Sequence, residues 1–172
     1  MKIELKKIKV SEHMSEETTA FTAEIHINGM NAGYAKNSGR GGSTDYHHNP
    51  EPEFRVLMQR AENFCLTLPP IKYDGFHGTD SFEIPMNLEH FIDELLEKHL
   101  KEKEQKKLEK KMVDTIIFGV PNGNSYIQIK QKRPLSTFPV ESLQRAIDKL
   151  KADFKNGEVI MNTNLEVLGV KL

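Results

Sequence analysis

Asn28-Gly29 lies between two extended stretches, and it constrains the fold of this chain more than any other feature. On its N-terminal side Phe21, Ala23, Ile25 and Ile27 alternate with Thr22, Glu24 and His26. On its C-terminal side Ala32-Gly33-Tyr34-Ala35 resumes an extended run. An Asn-Gly link reaches positive φ cheaply and closes a tight antiparallel hairpin. Alternation at period 2 then sends one row of side chains to a core and the other to solvent. A first strand with imperfect alternation, Ile3, Leu5, Ile8 and Val10, comes before it, separated by a polar loop over 11–18. A second turn, Pro121-Asn122-Gly123-Asn124, joins the apolar run 113–120 to Tyr126, Ile127 and Ile129. Both turns favour antiparallel pairing.

Helical spacing separates these extended segments. Asn49-Pro50-Glu51-Pro52-Glu53 suits a helix start, and Phe54, Leu57, Met58, Ala61, Phe64, Cys65 and Leu68 follow, stopped by Pro69-Pro70. Residues 71–85 read as an irregular aromatic loop with Tyr73, Phe76, His77 and Phe82. Asn87 caps a second helix whose stripe is Leu88, Phe91, Ile92, Leu95, Leu96 and Leu100. The stripe thins over 101–111, where Leu108 is the one apolar residue, so this half is expected to project from the core or rest on a partner. Val140, Leu143, Ala146, Ile147, Leu150 and Phe154 define a third helix closed by Asn156-Gly157. Val159 to Val170 supplies one or two final strands. The class is α+β, an antiparallel sheet built from hairpins packed against about three helices. One domain over 1–172 is the first choice, with a division into 1–112 and 113–172 as the alternative.

Composition narrows the function. The 24 basic and 25 acidic residues leave a formal charge of −1, so no global field draws the chain to nucleic acid or anionic membrane. No apolar run approaches the roughly 20 residues that span a bilayer. The single Cys65 makes no intrachain disulfide, and its apolar helical neighbours read it as a packed side chain. A cytoplasmic location fits, with no membrane partner and no cofactor.

The densest candidate surface is 35–48, with three glycines in four positions around Arg40. Consecutive glycine N–H groups can form a concave anion site, and arginine adds a charged fork. The ligand-binding candidates are Asn37, Gly39, Arg40, Gly41, Gly42, Ser43, Thr44, Tyr46 and His47. No Gly-Lys-Ser/Thr ending and no spaced dinucleotide fingerprint is present. A bulged hairpin loop is the plainer explanation of the glycines. Asp45, His47 and His48, with Asp74, His77 and Asp80, invite a metal, but their spacing matches no metal site and adjacent histidines in a strand face opposite ways. No catalytic residue and no metal ligand is assigned. The lysines of 101–111 interleave with Glu102, Glu104 and Glu109, the pattern of a solvated helix face. Lys130, Lys132 and Arg133 form a second basic cluster.

The segments 15–23, Asn28-Gly29 and 37–46 resemble small uncharacterised proteins of bacteriophages and bacterial mobile elements. The resemblance covers the stretch 5–48, about a quarter of the chain. It implies a bacterial or phage setting, in which small proteins bind host proteins, nucleic acids or signalling nucleotides, and a role in countering host defence is one use such a setting offers. The first expectation is thus a non-enzymatic accessory protein that binds a host protein or an anionic small ligand such as a nucleotide. The alternatives are a nucleic-acid-associated protein using the lysine-rich helix and Lys130–Arg133 cluster, and a metal-dependent hydrolase using Asp45, His47 and His77.

Overall fold

The computed structural model describes residues 1–73, 81–121, 123 and 125–172. The chain divides into two compact units, Met1–Leu100 and Lys101–Leu172. The fold class is α+β, with four α-helices and antiparallel sheets among the described residues.

In the first unit β1 (Ile3–Val10), β2 (Phe21–Ile27), β3 (Met30–Asn37) and β4 (Asp45–His48) form one antiparallel sheet in chain order. Asn28 and Gly29 take φ of 50° and 88°, the positive pair that a tight hairpin turn needs. The turn pairs Ile27 with Met30 and His26 with Asn31; a bulge at Ala32 then moves the register by one residue, so that Ala23 pairs with Ala35 and Glu24 with Tyr34. It buries Phe21, Ala23, Ile25 and Ile27 and leaves Thr22, Tyr34, Lys36 and His47 exposed on the other face. α1 (Pro52–Cys65) and the first half of α2 (Leu88–Met112) supply the other side of this core, through Met58, Ala61, Leu88, Ile92 and Leu96. Full burial of an isoleucine contributes about 1.5–3 kcal/mol, whereas an exposed pair such as Lys2–Glu4 is screened by water and contributes little. The apolar face therefore holds the unit together.

Two local expectations change. α1 ends at Cys65, short of Leu68, because the N–H groups of Thr67 and Leu68 tighten onto the carbonyls of Phe64 and Cys65 ahead of Pro69. The ends of the expected loop 71–85 are strands: β5 (Ile71–Tyr73) pairs with β6 (Phe82–Ile84), and Tyr73 stacks on Phe82 at 5.1 Å. Three residues per strand are too few to show alternation. Asp74, Phe76, His77 and Asp80 lie outside the described residues.

In the second unit β7 (Thr115–Gly119) is buried throughout and lies between β8 (Tyr126–Lys130) and β9 (Val159–Ile160). Ile116 packs with Leu143 and Ile147 of α3 (Val140–Ala152), while Ile117 packs with Leu108 and Met112. The lysine-rich half of α2 therefore does not project bare. Its apolar residues at 108 and 112, four apart, close one side of β7. The expected final strands shrink to the two residues of β9, and Leu165 is instead buried on α4 (Thr163–Val167).

Asn162 explains why the strand can stop so early. The backbone N–H of Ile117 donates to its Oδ1 at 2.6 Å, and its Nδ2 donates to the carbonyl of Thr115 at 2.9 Å. The fully buried amide continues the ladder that β9 leaves unfinished. Asn162→Ala would strand a buried donor and a buried acceptor, each costing about 1–3 kcal/mol. Urea unfolding should show a loss of about 2–4 kcal/mol, with the transition of the second unit moved most. An unchanged midpoint would refute this account.

Candidate functional site

The glycine-rich loop joins β3 to β4 and folds back on the loop 11–20. Gly39 is buried with φ +87°. Its carbonyl accepts the backbone N–H groups of Glu16, Glu17 and Thr18 at 2.9, 3.0 and 3.3 Å. Asn37 is the other brace. Its Oδ1 accepts the N–H of Gly39 at 2.8 Å and the hydroxyl of Thr18 at 2.9 Å, and its Nδ2 donates to the carbonyl of Gly42 at 2.9 Å. The N–H of Gly41 donates to the Thr18 hydroxyl at 3.3 Å, and a Cβ at Gly41 would run into the carboxylate of Glu17. Two of the N–H donors that would cradle an anion are thus engaged within the protein, and an acidic side chain lies over the loop.

Thr44 locks the loop to α2. Its hydroxyl donates to Asp93 Oδ1 at 2.6 Å and its N–H donates to Glu89 Oε1 at 3.2 Å. Asn87 Oδ1 accepts the N–H of His90 at 2.7 Å, which makes it the expected cap and sets where this turn of α2 begins. Burial raises the Asp93 carboxyl above its ordinary range, and Glu89 adds to this; the Thr44 hydroxyl and His90 oppose it.

Among the predicted site residues, Asn37, Gly42, Ser43 and Thr44 line one cleft of about 330 Å³ within the first unit. Thr18, Thr19, Asp93 and Glu97 complete its polar wall, and Phe21, Leu96 and Leu100 form its apolar side. Gly39 lies beneath the loop as a structural residue. Arg40 is exposed and has no ion-pair partner among the described residues. Tyr46 points to the opposite face from His47. It is half-buried with its hydroxyl donating to Glu62 Oε1 at 3.0 Å, and burial together with that carboxylate pushes its pKa up to about 12. His47 lies on the solvent face with its ring 5.2 Å from that of Tyr34. The predicted residues therefore split into the cleft, a buried scaffold, a separate sheet face and an exposed loop tip at Arg40 and Gly41.

Sequence reasoning missed Asp93 and Glu97, which sit on the helical stripe's polar flank some 50 residues from the loop they meet. The capping signature at Asn87 was the available signal, because it fixes which residues occupy the first two turns. Cys65 is buried and its thiol is pushed up to about 11 by desolvation, so it packs as a small apolar group. Among the described residues no group of three histidine, cysteine or acidic side chains could hold a metal ion. No helix among them is long and apolar enough to cross a membrane. No protein-family model, curated protein or solved structure matches the chain.

The loop's glycines are not equivalent. At Gly39 a Cβ would meet the carbonyl oxygen of Met14 and lie 2.8 Å from Ala20 Cβ, whereas at Gly42 it would meet nothing within 4 Å. Gly39→Ala should cost about 1–3 kcal/mol in thermal or urea unfolding, while Gly42→Ala changes stability by less than about 0.5 kcal/mol. Equal effects would show that the loop is not braced as described.

Proposed function

We propose that this chain is a non-enzymatic binding protein that engages a partner protein by taking one of its basic side chains into the cleft beside Thr44. The observation that carries this reading is the Asp93 carboxylate, half-buried in a cleft whose other wall is apolar. Asp93 Oδ1 is bonded to Thr44, while its other oxygen has no hydrogen bond among the described residues. A lysine side chain supplies a matching pair of chemistries, an ammonium for the carboxylate and a methylene stem for Phe21 and Leu96. An anionic ligand is less well supported, because Gly39 and Gly41 have engaged their N–H groups and Glu17 covers the loop. In the mobile-element setting that the resemblance implies, the partner would be a host protein.

Titrating acetyl-Gly-Lys-Gly-amide against ¹⁵N-labelled protein tests this. Shifts confined to the amides of Ser43, Thr44 and Leu96, absent with the norleucine analogue, are expected. Asp93→Asn should abolish them while leaving the fold intact, because an amide oxygen still accepts the Thr44 hydroxyl. The folded carboxyl has a raised pKa, so its charge is lost early as the pH falls, and affinity should drop across the upper part of the carboxylate range. No shifts with the lysine peptide, or shifts at the same amides with inorganic phosphate or ATP instead, would overturn the proposal.

A further inference from the structure

The edges of the sheets are treated unequally. β1 has a bulge between Lys6 and Lys9 with Lys7 at φ 49°, and it carries Lys6, Lys7 and Lys9. β4 is four residues long and ends at Asn49-Pro50, and β9 is two residues long. Bulges, charges and short lengths all blunt a sheet edge against pairing with another chain. β8 has none of the first and little of the rest. It runs five residues, Tyr-Ile-Gln-Ile-Lys, in unbroken register with β7, and Ile127 and Ile129 are 57% and 38% exposed.

The free hydrogen-bonding groups of this edge can be assigned. The N–H of Gln131 donates to the carbonyl of Asp114 at 2.7 Å, which makes that pair a bonded one. Antiparallel pairs alternate, so Ile129 and Ile127 also turn their backbone groups toward β7. Tyr126, Gln128 and Lys130 turn theirs to the open edge.

We propose that the β8 edge pairs antiparallel with the same edge of a second copy of this chain, centred on Gln128. The sequence is self-complementary about that residue. In this register Gln128 faces Gln128 of the other copy, Tyr126 faces Lys130, and Ile127 faces Ile129. Each outward N–H then meets an outward carbonyl, because the three outward-facing residues pair only with one another. The exposed isoleucines meet as an apolar cross-strand pair on one face. On the other face each Lys130 meets Tyr126, whose ring already has Lys111 at 5.9 Å, so the contact is made by the lysine's methylene stem and no two lysines are paired directly across the strands. A two-fold interface requires such self-matching, since every contact occurs twice. An edge of five residues buries much less than the roughly 1,600 Å² of a standard interface, so the dimer is a weak one that forms with rising concentration.

Light scattering coupled to size exclusion tests this on the full chain. The mass should rise from 19.7 kDa toward twice that value between low-micromolar and near-millimolar loading. Ile127→Lys puts a charge in place of one member of the apolar cross-strand pair with Ile129 of the other copy, and Gln128→Pro removes an outward N–H while sparing the bonds to β7. Each should raise the dissociation constant at least tenfold with unchanged circular dichroism. Ile127→Lys decides the matter if the proline variant fails to fold. Gln128→Cys should form a doubled-mass species under mild oxidation, because Cys65 is buried. A monomer at every concentration overturns the proposal. So does a dimer that survives Ile127→Lys, or one that Gln128→Cys does not cross-link. All of these readouts are independent of the Asp93 cleft.

Discussion

The register set jointly by the Asn28-Gly29 turn and the bulge at Ala32 decides which side of the first unit is dry. A shift of one residue would exchange Phe21, Ala23, Ile25 and Ile27 for Thr22, Glu24 and His26 on the core face. With the register set, β3 places Ala35 inward and Tyr34 and Lys36 outward, and β4 repeats the division with Tyr46 inward and His47 outward. Everything reported of the candidate site descends from this parity. Residues adjacent in sequence were parted by the pleat, and residues distant in sequence were joined by the loop and α2.

The glycine-rich segment shows how a motif that suggests ligand binding can first serve the chain's own geometry. Gly39 is required where it is because the carbonyl that gathers three N–H groups needs a backbone at positive φ, with no room for a side chain. Gly41 gives space to Glu17. The same braces hold Thr44 in place, so under the proposed binding a hydroxyl already fixed on Asp93 would lose no further freedom when a ligand arrived. The glycines and Asn37 build the loop, and the loop presents Ser43 and Thr44 to the cleft.

Much of the fold was legible because it rests on local chemistry. The Asn-Gly turn, the Asn87 cap, the helical stripes of α1 and α3 and the hairpin of β7 with β8 are each written in a few consecutive residues. What escaped depended on partners far away in the chain. Leu108 and Met112 read as an isolated pair on a charged helix until β7 supplies Ile117 beside them. Asn162 reads as an ordinary turn residue, and its role exists only because β7 presents an N–H and a carbonyl to it. The final residues alternate well enough to suggest strands, yet Leu165 is drawn into the apolar cluster with Leu135 and Leu143, and a helical turn delivers it there. Within the candidate site the loop residues could be found from sequence, while Asp93 could not, because nothing in 35–48 says which acidic residue will meet it.

Asp93 also sets stability against the binding proposed for it. Its folded pKa is raised above the ordinary value, so the protonated form is favoured by folding, and ionisation at neutral pH opposes the folded state. The contribution has a definite sign: as the pH rises through the carboxylate range, this group makes the fold less stable, opposite to a carboxylate held by a basic partner. Glu24 is such a contrast, drawn below the ordinary range by the hydrogen bond from Lys7 and by His26. Both carboxylates sit in the same unit, one neutralised by its own chain and one left in a cleft with a hydroxyl for company. A cation delivered from outside would do for Asp93 what Lys7 does for Glu24, and it would lower the cost of keeping that charge away from water.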